Sequence, residues 1–258
     1  METLKVYREG AAGWIQFNRP LVRNAVNRQM MQELEEQIRL WEQDDRVKVL
    51  VLTGNARGFV SGGDLDELHQ HSTAEEVYPF MRRMGQVLHC LHQLEKPTVA
   101  AVQGAAVGGG CEIAASCDFR LASENARFAF VQSRMGITSG WGGGSRLLSQ
   151  MDRGIALRWL LTGDWISARE AWEAGWVHQL VPDDSFTAHV QRFADNLCHA
   201  SLGVITNYVR LVRASVQGAA LESLAEMEAR SCSQLWETEE HRQAVKSFLQ
   251  RRDKPSEE

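Results

Sequence analysis

Glu112 is the first side chain in this sequence whose setting suggests chemistry, because it lies in Gly108-Gly109-Gly110-Cys111-Glu112-Ile113-Ala114-Ala115, a run of small and apolar residues. Two readings are open for it. A carboxylate in the first turn of a helix gains about 0.3–1 kcal/mol from the helix dipole and could simply face solvent. Held away from water, it could instead take up and return a proton. Gly104-Ala105-Ala106-Val107-Gly108-Gly109-Gly110 and a second loop, Gly58-Phe59-Val60-Ser61-Gly62-Gly63-Asp64, could each bring a bare backbone N–H against a ligand. Two such N–H groups make an oxyanion hole, where losing one donor typically costs about a hundred- to a thousandfold in rate. The same glycines could serve only tight turns and close packing.

Other chemistries find less support. There is no GxGxxG fingerprint, no Walker GxxxxGK[ST] and no GxSxG nucleophile elbow. His69-Gln70-His71 and His89-Cys90-Leu91-His92 lack the ligand count of a structural zinc site and read as surface positions, so no metal is expected. The five cysteines are odd in number and scattered, which fits reduced thiols and not a disulfide framework. Most tryptophans are spaced like core fillers, but Trp141, in Gly140-Trp141-Gly142-Gly143-Gly144, is expected to be exposed by its glycine neighbours.

These residues need a scaffold, and the hydrophobic pattern predicts an α/β one. Trp14–Phe17 reads as a strand, the stripe Leu34, Ile38, Trp41 as an amphipathic helix, and Val47–Leu52 and Thr98–Val102 as strands covered on both faces. A helix over about 75–94 separates the last two, so the glycine loops fall at strand ends, where ligands gather in such units. A small-residue helix at Cys111–Ser116, a strand at Phe119–Ala122, helices at Ser145–Met151 and Ile155–Leu161, a capping-box start at Ser167–Glu170 and a strand at Trp176–Val181 follow. Residues 185–251 read as helical, with a last helix opening at Thr238-Glu239-Glu240 and closing on Arg251-Arg252 before a frayed polar tail, Asp253–Glu258. The expected organisation is an α/β core over 1–190 and a helical region over 191–258. A net charge of −5 argues against a protein that grips nucleic acid by phosphate neutralisation. No apolar run approaches the ~18 residues of a membrane span, and Met1-Glu2 opens no secretory signal, so a soluble cytoplasmic protein is expected.

Asn18-Arg19-Pro20, Phe59-Val60-Ser61-Gly62-Gly63-Asp64, Gly104–Glu112 and Cys117-Asp118, in this order and spacing, resemble the enoyl-CoA hydratase (crotonase) superfamily across about residues 4–250. The resemblance implies a crotonase-like spiral of ββα units, a helical C-terminal region that trimerises, and a homotrimer or homohexamer. It implies an acyl-CoA thioester substrate and no separate cofactor, coenzyme A being part of that substrate. The oxyanion hole would map to the N–H groups of Gly63 and Gly109, and the coenzyme would run along Ser61, Gly62 and Asp64 and past Arg23 to Ala25, with Arg23 placed for a phosphate. The acyl group would meet Trp141 and the Glu67–Arg83 region. Hydratases of the family pair Glu112 with a second glutamate, whose place is taken here by Gln132. An amide can hold water but cannot take its proton. Phe130-Val131, Met135-Gly136-Ile137 and Trp141-Gly142-Gly143 are also similar to ethylmalonyl-CoA decarboxylase-like members. Three readings follow: a single-glutamate hydratase or isomerase-type enzyme, a methylmalonyl- or ethylmalonyl-type carboxyacyl-CoA decarboxylase, and a non-catalytic CoA-thioester-binding protein.

Overall fold

The computed structural model describes residues 1–55, 57–70 and 72–252. His71 and the tail 253–258 therefore lie outside the described residues. β1 (Leu4–Glu9) and β2 (Ala12–Phe17) form an antiparallel hairpin, with α1 (Arg28–Glu42) and β3 (Val49–Thr53) next in the chain. α2 (Leu65–Leu68) and α3 (Ala74–Gln93) lead to β4 (Thr98–Val102), β5 (Ala105–Val107) and α4 (Gly109–Ser116), followed by β6 (Phe119–Ser123) and β7 (Arg127–Ala129). α5 (Gly143–Gln150), α6 (Arg153–Thr162), β8 (Ile166–Ser167), α7 (Ala168–Glu173), β9 (Gln179–Val181) and α8 (Phe186–Leu197) complete a compact unit, Met1–Cys198.

Its main sheet runs β1-β2-β3-β4-β6-β9 and is parallel beyond the first pair. Alternate side chains of one strand leave on opposite faces, and here both faces are apolar. Ile15, Leu50, Leu52, Ala100 and Val102 enter a core with Met31, Leu34 and Ile38 of α1 and Met84, Leu88 and Leu91 of α3. Trp14, Val49, Val51, Val99 and Ala101 enter a second core closed by Phe186, Val190 and Ala194, a four-residue repeat on α8. Near-continuous apolar runs such as Val49–Leu52 follow from that double cover.

A second sheet, β5-β7-β8, has strands of two or three residues, too short to leave a periodic signal in the sequence. It pairs Ala105–Val107 with Arg127–Ala129 and so sets the start of α4 beside the segment carrying Gln132. The strand expected over Trp176–Val181 is confined to Gln179–Val181. Trp176 is instead a core residue, with Phe128, Phe130 and Trp159 around its ring.

The second compact unit, His199–Glu258, contains α9 (Leu202–Val216), α10 (Leu221–Trp236) and α11 (Glu239–Arg252). The expected boundary at 190/191 falls within α8, whose residues belong to the first unit. Within the second unit Ser231 Oγ donates to Asn207 Oδ1 at 2.9 Å, joining α9 to α10. Tyr208, Val212, Val216, Leu221 and Trp236 are exposed.

Candidate active site

Residues 19–26 and 58–64 are stitched together by the chain itself. Val26 N–H donates to the Gly62 carbonyl at 2.8 Å, and Asp64 N–H donates to the Val26 carbonyl at 2.9 Å, a parallel bridge centred on Gly63. Asn24, buried and in the left-handed region at φ +58°, donates to the carbonyls of Gly58 at 3.2 Å and Phe59 at 3.0 Å. Arg19 Nη1 donates to Ala25 O at 2.6 Å and to Asp64 Oδ2 at 2.7 Å. Asp64 Oδ1 also caps α2 through Asp66 N–H. Ser61 Oγ donates to Val22 O at 3.4 Å. Arg23, also left-handed at φ +53°, is exposed and its guanidinium has no partner among the described residues.

This bridge decides where Gly63 aims its N–H. Successive residues of an extended strand direct their backbone groups to opposite sides, and Val26 already occupies the side used by Gly62 and Asp64. The Gly63 N–H therefore points away and has no acceptor among the described residues. Gly109 is the first residue of α4, where N–H groups have no intrahelical partner. Its N–H likewise has no acceptor among the described residues. The Trp141 indole lies next to both glycines: a β-carbon added to Gly109 would fall only 2.0 Å from Trp141 Cζ3, and one added to Gly63 would lie 3.6 Å from Cζ2, behind Leu68 Cδ1 at 2.7 Å.

Trp141 is 3% exposed, so the expectation that its glycine neighbours uncover it is wrong. Those glycines make room instead. A β-carbon at Gly143 would come 2.3 Å from Glu112 Cγ, so only glycine lets the start of α5 close over the glutamate.

Glu112 itself is 2% exposed, which rules out the solvent-facing reading. Its Oε2 accepts N–H bonds from Trp141 and Gly143, both at 2.8 Å. Its Oε1 accepts from Gln132 Nε2 at 3.0 Å and, at the limit of bonding distance, from Gly140 N–H at 3.4 Å. Burial raises the carboxyl pKa, and the four donors only partly offset it. A carboxyl moved toward neutrality is suited to exchanging protons. Gln132 sits in a short 3₁₀ turn, Val131–Met135; with its amide N–H given to Glu112, its Oε1 is buried without a partner among the described residues.

Glu112, Gln132, Gly63, Gly109 and Trp141 are thus brought together from four separate stretches of chain. Residues 8–258 match the family model described as enoyl-CoA hydratase/isomerase. The chain belongs to this family. The 2,3-dehydroadipyl-CoA hydratase of Escherichia coli K12 is 32% identical over 255 residues, covering 98% of this chain and 97% of that protein. A short-chain-enoyl-CoA hydratase of Clostridium acetobutylicum is 32% identical over 250 residues, 95% of this chain and 94% of the relative. Among solved structures, an enoyl-CoA hydratase subunit of Geobacillus kaustophilus HTA426 matches with a TM-score of 0.88 at 30% identity, covering 99% of this chain and 98% of the other. The enoyl-CoA hydratase of Bacillus anthracis gives 0.91 at 25% identity over 96% of each chain. The fold is that of the crotonase superfamily, an α/β core with a C-terminal helical region.

As a member of the enoyl-CoA hydratase/isomerase family, the chain contains supporting residues that its sequence did not single out. Arg146 Nη1 donates to the Trp141 carbonyl at 3.0 Å, and its guanidinium, half-buried, feels the Glu112 charge. Asn24 pins the Gly58–Asp64 loop. Neither has a signal in the sequence beyond the motif nearby. Of the histidines, His69 and His89 are exposed, whereas His92 Nδ1 lies 3.3 Å from the Ser116 carbonyl. No group of three metal-ligating side chains occurs among the described residues.

Proposed function

We propose that this family member acts on acyl-CoA thioesters as a single-glutamate hydratase or isomerase-type enzyme, with the N–H groups of Gly63 and Gly109 holding the thioester oxygen, Glu112 as acid and base, and Gln132 orienting water or substrate. The observation that carries the reading is two N–H groups without acceptors among the described residues, at Gly63 and Gly109, beside a buried carboxylate held by the Trp141 backbone. Glu112 Oε2 carries two short backbone bonds, whereas Oε1 is held by the Gln132 amide at 3.0 Å and by Gly140 only at 3.4 Å, so Oε1 is read as the oxygen that moves a proton.

In hydration, Oε1 takes a proton from water as the water oxygen bonds the β-carbon. The alkene electron pair shifts toward the thioester carbonyl, and the charge on its oxygen is stabilised by the two fixed N–H dipoles. Glu112 then returns the proton to the α-carbon as the carbonyl re-forms, so one water is added in all. Isomerisation would use the same parts, removing a proton from one carbon and delivering it to another.

The orientation of Gln132 favours this reading over decarboxylation. Its N–H faces Glu112, so the group it offers the site is a carbonyl oxygen, an acceptor. Water or a hydroxyl can donate to it; a substrate carboxylate would be repelled. The coenzyme is read along Ser61, Gly62 and Asp64 and past Ala25, with Arg23, which has no partner among the described residues, meeting a phosphate. It enters as part of the substrate, with no further cofactor. We read the protein as cytoplasmic, and no helix among the described residues is long and apolar enough to cross a membrane. Exposed Tyr208, Val212, Val216, Leu221 and Trp236 support self-association through the second unit, as a homotrimer or homohexamer.

The test is the purified protein with crotonyl-CoA, following loss of the enoyl thioester absorbance and identifying products by mass. A gain of one water supports the reading. Loss of CO₂ from methylmalonyl- or ethylmalonyl-CoA, with crotonyl-CoA untouched, would replace it with the decarboxylase. No turnover of any ester, with a raised melting temperature in their presence, would leave a binding protein.

A further inference from the structure

We infer that Trp141 is a positioning residue that fixes the two oxyanion N–H groups relative to the Glu112 carboxylate. The inference rests on the reading of Gly63 and Gly109 as those donors. Its backbone is clamped at both ends of one residue: the N–H donates to Glu112 Oε2 at 2.8 Å, and the carbonyl accepts from Arg146 Nη1 at 3.0 Å. Its ring, 3% exposed, packs against Gly109 and lies beside the Gly63 position. A β-carbon at Gly109 would fall 2.0, 2.4 and 2.7 Å from Cζ3, Cη2 and Cε3, inside the six-membered ring's contact surface. No positive φ demands glycine at 109, so the indole is what excludes every larger residue there.

At Gly63 the constraint is shared, since a β-carbon would meet Leu68 Cδ1 at 2.7 Å before Trp141 Cζ2 at 3.6 Å. One side chain therefore packs directly against the start of α4 and lies next to the Gly63 position, while its own peptide groups hold the carboxylate and the α5 arginine. Close-packed interiors transmit displacement because there is no free volume to absorb it. A shorter residue at 141 would leave both N–H groups in the chain but free to drift, and an oxyanion hole works only where its donors need no reorganisation. The effect should fall on the transition state more than on binding.

The experiment measures turnover of crotonyl-CoA and the carbonyl infrared band of bound, carbonyl-labelled butyryl-CoA, a saturated thioester, in the wild-type protein, Trp141→Phe and Trp141→Leu. In the wild type the band should move to lower frequency on binding. In Trp141→Leu it should move less, with kcat reduced about tenfold or more, as for a weakened oxyanion donor, and KM changed by less than about threefold, the pattern of a lost transition-state contact. Trp141→Phe should recover part of both.

An equal band shift and equal kcat in a folded Trp141→Leu protein would overturn the inference. A second arm does not depend on turnover: melting temperatures of Gly109→Ala, Trp141→Leu and the double variant. Relief of the clash predicts that the double variant loses less than the two single losses added; additive losses would show that the indole does not constrain Gly109, and would also overturn it. An unshifted band in the wild type overturns the oxyanion reading and with it this role for Trp141, while the melting-temperature arm still reports separately on the Trp141–Gly109 contact.

Discussion

Two buried glutamates in this molecule accept hydrogen bonds of similar number and kind, yet their pKa values move in opposite directions. Glu33, on α1, accepts the backbone N–H groups of Glu2, Thr3 and Leu4 at 2.9, 3.0 and 3.2 Å, the Thr3 hydroxyl at 2.7 Å and the Gln29 amide at 3.2 Å. Burial alone would raise its pKa, but the bonds from Glu2, Thr3 and Gln29 outweigh that and the net shift is downward. At Glu112 burial wins and the net shift is upward. The difference lies in the surroundings. Glu33 is roofed by the chain's first residues, with exposed Glu2 and Gln29 beside it. Glu112 is walled in by α4, Trp141 and the glycines that open α5. Hydrogen-bond counts do not set a carboxyl's proton affinity; they compete with desolvation, and access to water decides the contest. The first glutamate fastens β1 to α1 as a carboxylate, and the second is shifted toward its neutral form, the state the proposed proton transfer would use.

The comparison can be broken most decisively by neutralising each carboxyl in turn. Glu112→Gln should lower kcat for crotonyl-CoA by about 10²–10⁴, whereas Glu33→Gln should leave kcat unchanged in steady-state assays. An active Glu112→Gln would remove that residue from the chemistry. Next in size is Gln132→Glu, which should raise hydration of a short enoyl-CoA at least tenfold, about 1.4 kcal/mol of barrier. With a second carboxyl at the amide's place, one of the pair should also titrate higher than Glu112 does alone. A folded, ligand-binding variant with no gain would mean that position 132 does not face the substrate.

Smaller effects should appear in stability. Glu33→Gln should cost about 2 kcal/mol in urea unfolding at neutral pH, through loss of charge-assisted bonds. Glu112→Gln should cost little, because the Gln132 amide can turn over to meet the new amide and no charge remains to be buried. The pH dependence should separate them by sign. Glu33's folded pKa is depressed, so its contribution is present above its ordinary 4.5 and lost as the pH falls through the lower folded value. Glu112's folded pKa is raised, so folding carries no penalty below 4.5, and one develops as the pH rises through the folded value. Subtracting the Glu112→Gln profile from the wild type should show wild-type stability falling with pH above 4.5, and the Glu33→Gln subtraction the reverse slope below it.

Much of the scaffold was legible because it is written locally. The β3 and β4 runs, the α1 stripe and the Ser167–Glu170 capping box each depend on neighbours a few residues away, and each occurs, the box with Ser167 and Glu170 bonding reciprocally at 2.8 and 3.1 Å. The β5-β7-β8 sheet was not legible, since strands of two or three residues carry no period. The burial of Trp141 was not legible for a related reason: flanking glycines usually mean an open loop, and here they are the space left for a buried ring and a carboxylate.

The sequence by itself determined which groups were available: the glycines of two loops, Glu112 in a small-residue run, and an amide at 132 where a second carboxylate could have stood. Only the tertiary structure decided that Glu112 faces inward, that Gln132, twenty residues further along, gives its N–H to Glu112 and keeps its carbonyl oxygen for something else, and that one indole packs against Gly109 beside the Gly63 loop. Residue type and spacing set what a chain can form nearby. Burial and the pairing of distant groups arise when the cores close and water is excluded, so proton affinity and donor alignment belong to the folded molecule.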